Sequence, residues 1–194
     1  MEPRAEIAHW WFGSAFLLLG LILLAEVVVG PAVFAMRPWR RYLWPAAALA
    51  SGTLLWLVAA LSTFSTLHLI AHSIWAQTAM IAGAVELALV RGVLRRPAWA
   101  LVTAGMLSVS GASFLFHEQN GWLFARSAFL HHAIGWVLVV ASLIPIGRAM
   151  QPRRAHVWSA GFAVTVIVVA VMLLCDRDVA PIFGHLSEFA GGPR

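Results

Sequence analysis

Six apolar runs, each long enough to cross a bilayer as a helix, constrain the fold of this chain more than any other feature. A transmembrane helix needs roughly 20 apolar residues. Hydrophobic residues make up 61% of the chain and charged residues 11%, against about 25% charged residues in a soluble domain. The sequence therefore predicts an all-α integral membrane protein with six transmembrane helices in one domain, residues 1–194. The predicted helices cover approximately residues 10–36, 43–64, 67–90, 98–116, 127–148 and 157–175.

The arginines predict the orientation of these helices. All 13 basic residues are arginine, and nine of them lie in three short clusters between apolar runs. Cytoplasmic loops collect positive charge, so we expect three helical hairpins with both termini on the outer, periplasmic side of a bacterial inner membrane. The net charge of +5 then reflects topology, and we expect no nucleic-acid partner. The clusters are Arg37, Arg40 and Arg41; Arg91, Arg95 and Arg96; and Arg148, Arg153 and Arg154.

Seven of the eight histidines map to the outer side in this orientation, and only His156 maps to the inner side. His68 and His72 lie four residues apart near the outer end of the third helix, so they share one face. Paired imidazoles at this spacing are common metal ligands, although both residues also suit hydrogen bonds to neighbouring helices. His131 and His132 lie near the start of the fifth helix, about 100° apart, so only one of them can point at a common centre.

A polar segment between the fourth and fifth helices completes the predicted site. His117 is either a ligand or the cap of the fourth helix, and Glu118 is either a ligand or an acceptor that orients an imidazole. Gln119 and Arg126 lie in the same segment. We therefore predict a metal site at the outer face, whose ligands are His68, His72, His117 and one of His131 and His132. We expect the two remaining outer histidines to be solvated, namely His9 and His185.

The donor types limit the cofactor. Imidazole suits zinc, copper and haem iron, whereas thioether selects Cu(I), and the methionines do not gather near the histidines. The residues thus favour Cu(II), Zn or, less specifically, Fe. Haem b is the alternative: one histidine of the third helix and one of the fifth would be axial ligands, with Gln119 and Arg126 near the propionates. A third hypothesis is a cofactor-free accessory subunit whose polar outer surface docks a partner.

Two carboxylates lie in the inner half of the bundle, Glu26 in the first helix and Glu86 in the third. Because a carboxylate within a span is costly and often functional, we predict that these residues mark an ion or proton path. The alternative is that each one snorkels to the interface or pairs with a loop arginine such as Arg91.

Motifs of soluble enzymes are absent from the sequence. It contains no P-loop, no GxGxxG and no HExxH, and its single cysteine, Cys175, excludes an intrachain disulfide and a multi-cysteine metal site. We therefore expect a metal-handling or electron-transfer protein rather than an enzyme.

The stretch LHLIAHSIWAQTAMIAGAVELAL, residues 67–89, resembles the Leu-His-x-x-Ala-x-x-x-Trp start of a helix in CopD-type copper-resistance membrane proteins. Residues 8–31 are loosely similar to early helices of that family, and Ala76 and Gln77 replace its frequent Gly-Gly pair. The resemblance implies an all-helical inner-membrane protein that handles copper through outer-side histidines, with His68 at the matching position. From this we expect copper binding, delivery or uptake, with a periplasmic metal carrier or redox protein as partner.

Overall fold

The computed structural model describes residues 4–30, 38–61, 66–116 and 125–176 of the chain. Helix is the only regular secondary structure within these ranges. The α-helices in chain order are α1 (Arg4–Val29), α2 (Leu43–Leu61), α3 (Thr66–Val90), α4 (Ala100–Phe116), α5 (Ala125–Ala141), α6 (Leu143–Met150) and α7 (Ala155–Cys175).

These helices form six segments that are long and apolar enough to cross a membrane, as the sequence predicts. The chain is thus a multi-pass membrane protein, and α5 and α6 together form one span. The segments are Ile7–Val29, Pro38–Ala60, Leu69–Val90, Pro97–Phe116, Ala128–Met150 and Pro152–Cys175.

The first helix ends seven residues earlier than the predicted boundary at residue 36. It ends at Val29, and the next residue, Gly30, has a φ of 90°. Glycine adopts this left-handed conformation without a steric penalty and commonly ends helices.

The arginine-rich turns fold as short 3-10 helices that lead into α2, α4 and α7. They span Pro38–Tyr42, Pro97–Trp99 and Pro152–Arg154, and each begins with proline, whose missing N–H is no loss at the first helical position. We name the end of the bundle that holds these turns the arginine end. The opposite end, where α1 begins and α7 ends, is the histidine end.

The helices pack in a ring around a central cavity. Extensive contacts join α1 to α7, α2 to α3, α3 to α4 and α4 to α5, and α7 also packs against α5 and α6, whereas α1 and α2 touch at few positions. Glycines lie at the closest crossings: a Cβ added to Gly111 of α4 would lie 2.7 Å from the carbonyl oxygen of Gly135 in α5. The second span therefore packs chiefly on the third, and α1 chiefly on α7.

Candidate metal centre at the histidine end

Two histidines and an aspartate from three separate helices meet at the histidine end. His9 lies in the second turn of α1, His131 in the second turn of α5, and Asp176 directly follows α7. One donor atom from each of the three side chains lies within 4.8 Å of the other two. Nδ1 of His9 is 3.1 Å from Oδ2 of Asp176, at ion-pair distance but without the alignment of a hydrogen bond. These two atoms are close enough to each other to bind one cation together.

Close packing of α1 on α7 brings His9 to Asp176. A Cβ added to Gly13 would lie 3.0 Å from the carbonyl oxygen of Ala170 and 2.9 Å from the side chain of Leu174. His9 lies one turn before Gly13, so it reaches the residue at which α7 ends. There the backbone of Asp176 turns to an extended conformation, with φ −72° and ψ 122°, which ends the helix.

Two of the three side chains are almost fully buried, which affects the free energy of a charge on the carboxylate. Asp176 is 1% exposed and His131 is 4% exposed, whereas the side chain of His9 is 21% exposed. A carboxylate removed from water needs a positive partner to offset the cost of desolvation. A cation held by the three side chains would contribute such a charge, and the partial exposure of His9 leaves a route to solvent.

Aromatic rings surround His131 on its buried side. Its ring centroid lies 5.5 Å from Phe114 and 6.2 Å from Trp75, and the rings of Phe114 and Trp75 stack at 4.0 Å. His72 contacts the same indole edge-on at 4.8 Å. The structure thus brings His72 and His131, both predicted from sequence, to the wall of one cavity.

His132 faces away from this group. Its Nε2 lies 3.1 Å from the carbonyl oxygen of Leu115 near the end of α4, so it joins α5 to α4. Of the two adjacent histidines, His131 is the one beside His9 and Asp176.

The other predicted site residues lie outside what the structure describes. His68 lies in α3 and Arg126 in α5, but their side chains are not among the described ones. His117, Glu118, Gln119 and His185 lie outside the described residues altogether.

The expectation that His9 is solvated is wrong, and Asp176 is absent from the predicted site. The sequence carries a signal for both, since His9 begins the first apolar run and Asp176 directly follows the last one. If both termini share one side of the membrane, these two residues lie at the same depth. Only the packing of α1 against α7 turns that coincidence of depth into a contact.

Glu86 forms a second polar group near the arginine end. It accepts a 2.9 Å hydrogen bond from Oγ1 of Thr103, and Nη2 of Arg148 lies 3.1 Å from Oε2 and 3.3 Å from Oε1. Its ion-pair partner is therefore Arg148 rather than Arg91. Glu26 is half-buried on α1, and the structure does not bring it to Glu86.

Comparison with known proteins returns no match: no family model, curated protein or solved structure corresponds to this chain.

Proposed function

We propose that this protein binds a metal ion at the outer end of its helical bundle through His9, His131 and Asp176. The observation that carries the proposal is the convergence of three donor atoms, from helices far apart in sequence, within 4.8 Å of one another around a buried carboxylate. The 3.1 Å between Nδ1 of His9 and Oδ2 of Asp176 suits two ligands at bond lengths of about 2.0–2.2 Å from one ion.

Copper is the metal we propose, and its binding, delivery or uptake is the proposed task. Two imidazoles and a carboxylate are borderline-to-hard donors, and among divalent first-row ions such sites hold Cu(II) most tightly. The resemblance of residues 67–89 to CopD-type proteins supports the same metal. His72 lies nearby in the cavity wall, and we keep it, with His68, His117 and Glu118, in the proposed ligand set that completes the coordination.

Haem b is less well supported by the geometry. The cavity that His72 and His131 share is about 210 Å³ in volume. The donor atoms that converge within 4.8 Å, on His9, His131 and Asp176, favour a metal ion over a pair of axial haem ligands.

Orientation is part of the proposal. We place the arginine end in the cytoplasm and the histidine end in the periplasm of a bacterial inner membrane, with the chain running as three hairpins and both termini outside. The support is the set of arginine-rich turns before α2, α4 and α7, because positive charge collects in cytoplasmic loops. A periplasmic metal carrier or redox protein is then the partner that can reach the metal centre.

Alanine substitution of each of two adjacent histidines, His131 and His132, tests the proposal. The purified protein is stripped with chelator and titrated with Cu(II) and Zn(II), and bound metal is quantified. We expect one ion per chain in the wild type and in His132→Ala, whose imidazole contacts Leu115, and loss of the ion in His131→Ala.

Three other outcomes contradict the proposal. Stoichiometric haem with a reducible Soret band would establish the electron-transfer alternative. Absence of both metal and haem from a folded wild-type protein would leave the cofactor-free accessory subunit. Equal metal loading of His131→Ala and wild type would remove His131 from the centre.

A further inference from the structure

The central cavity extends from the proposed metal centre into the middle of the bundle, since His9 and His131 line its histidine end. All six spans contribute to its wall, and its volume is about 210 Å³. Aromatic rings line it at both ends: Phe12, Phe16 and Phe114 toward the histidine end, and Trp44 and Phe162 toward the arginine end. The last two rings meet edge-to-face at 4.6 Å. The cavity thus runs within the membrane-spanning part of the bundle.

Polar groups in this wall are few and uncharged apart from the histidines. No Asp, Glu or Arg lines the cavity among the residues that the structure describes. Thr78 donates its hydroxyl to the carbonyl of Trp75 and Thr165 donates to that of Gly161, so both turn back to their own helices. Because a charge placed there would be desolvated without a partner, the cavity suits a neutral ligand and does not suit a permeating cation.

The volume and shape of the cavity further limit the class of ligand that fits it. An apolar cavity of about 150 Å³ holds one benzene ring, so 210 Å³ holds one ring with substituents. Trp75 and Phe114 stack on each other at 4.0 Å, and together with Phe12 and Phe16 they give this part of the wall an aromatic character that favours a planar ring. His72 and His131 give the histidine end of the cavity its polar atoms, so a ring with polar substituents would place them there.

The route into the cavity follows from the packing of the ring of helices. Phe12 and Phe16 of α1 and Ser51 and Leu55 of α2 all line the cavity, yet α1 and α2 touch at few positions. This seam lies between two spans, so it faces the bilayer. A ligand that enters here is dissolved in the membrane rather than in water.

We propose that the cavity binds the head group of a lipid-soluble quinone, which enters from the bilayer between α1 and α2. A quinone is neutral, planar and ring-shaped, and its carbonyl oxygens are acceptors for imidazole N–H groups. Its apolar tail extends through the seam into the bilayer. His131 belongs to both proposed sites, so the quinone proposal is tested with the metal removed.

Quenching of tryptophan fluorescence by decylubiquinone tests the proposal in metal-stripped protein held in detergent with chelator. Ala82→Phe places a ring in the cavity, because Ala82 is 4% exposed and lines its wall. Ala84→Phe is the matched control, since Ala84 is exposed on the outside of the same helix. We expect saturable quenching in the wild type and in Ala84→Phe, with an apparent Kd weakened about tenfold or more in Ala82→Phe.

Nonspecific partition into detergent has a different signature. Quenching that rises without saturation, or that is equal in wild type, Ala82→Phe and Ala84→Phe, would overturn the proposal, and decanol serves as a tail without a ring. If Ala82→Phe does not fold, Ser110→Phe fills the same cavity from α4 and is judged by the same criterion. The chelator separates this result from the metal proposal, because quinone binding is expected whether or not the metal centre loads.

Discussion

Asp176 is the residue on which the proposed metal centre depends most, because it brings the carboxylate of the group that it forms with His9 and His131 and is almost fully buried. It lies at ion-pair distance from His9, so it also joins the end of α7 to the start of α1. A carboxylate can bind a cation directly, whereas an amide of the same shape carries no charge.

We expect Asp176→Asn to weaken Cu(II) binding by about 100-fold or more, given that loss of an outer-shell partner alone typically costs 10–100-fold. Competition with a chelator of known affinity measures the change. Cys175→Ser is the control, because Cys175 is the exposed neighbour and has no place in the proposed centre. Wild-type affinity in Asp176→Asn would contradict the assignment, and metal loss in Cys175→Ser would place the thiol in the centre instead.

Glu86 has a structural role that the geometry defines. Its side chain is 6% exposed and pairs with Arg148, which is 43% exposed. Because solvent screens the arginine, we expect Glu86→Gln to cost only about 1 kcal/mol, which lowers the Tm by about 2–4 °C in a chain of this size. Thermal unfolding in detergent measures this, with Glu26→Gln as control, since the described part of the chain offers Glu26 no ion pair. An unchanged Tm in Glu86→Gln would show that the ion pair does not hold the helices together, and would leave the proposed ion path as its role.

Some of these residues can be predicted from the sequence and others cannot. His72 and His131 are predictable because helix orientation alone puts them at one depth. The choice of Arg148 over Arg91 is not predictable, since Glu86 and Arg148 are 62 residues apart and meet only because α6 packs on α4, which in turn packs on α3. The pairing of His9 with Asp176 is not predictable for the same reason, because no local sequence pattern indicates that the first and last helices are in contact.

At the scale of helices, the contact between α4 and α5 positions His131. Gly111 and Gly135 face each other, and a Cβ on either would lie 2.7–2.8 Å from the other's carbonyl oxygen. His131 lies one turn before Gly135, so a wider crossing would shift His131 relative to His9.

We expect Gly111→Ala to destabilise the protein by about 1–3 kcal/mol through overpacking and to weaken metal binding. Gly105→Ala is the matched control on the same helix, because its added Cβ would meet nothing within 4 Å. Thermal unfolding and metal titration of both variants measure the two effects. If the two variants behave alike, the close crossing does not set the geometry of the centre.

Two helix ends differ from the ends that hydropathy predicts. The apolar character of residues 30–36 extends the predicted first helix, but α1 ends at Val29, before Gly30 with its left-handed backbone conformation. In the fifth span, α5 ends at Ala141 and α6 begins at Leu143, because Pro145 has no N–H to bond to the carbonyl four residues back. Both signals are in the sequence, and backbone chemistry outweighs hydropathy at both.

For the whole molecule, hydropathy predicts the number of spans but not their neighbours. Apolar side chains gain little by leaving lipid for another helix, so small residues and polar contacts decide which helices pack together. Gly13 and Gly20 allow α1 to pack closely on α7. This contact brings His9, near the start of α1, to Asp176, directly after α7. A count of apolar runs cannot contain that information.

Orientation is the prediction that belongs to the whole molecule, because the metal and its partner must meet on the same side. In a Cys175→Ser background, Gln151→Cys reports the arginine end and Phe116→Cys reports the histidine end; both native residues are exposed. If the arginine-rich turns face the cytoplasm, a membrane-impermeant maleimide labels Phe116→Cys in right-side-out vesicles and Gln151→Cys only in inverted ones. The reverse pattern would place His9, His131 and Asp176 on the cytoplasmic side, where a periplasmic carrier cannot deliver copper to them.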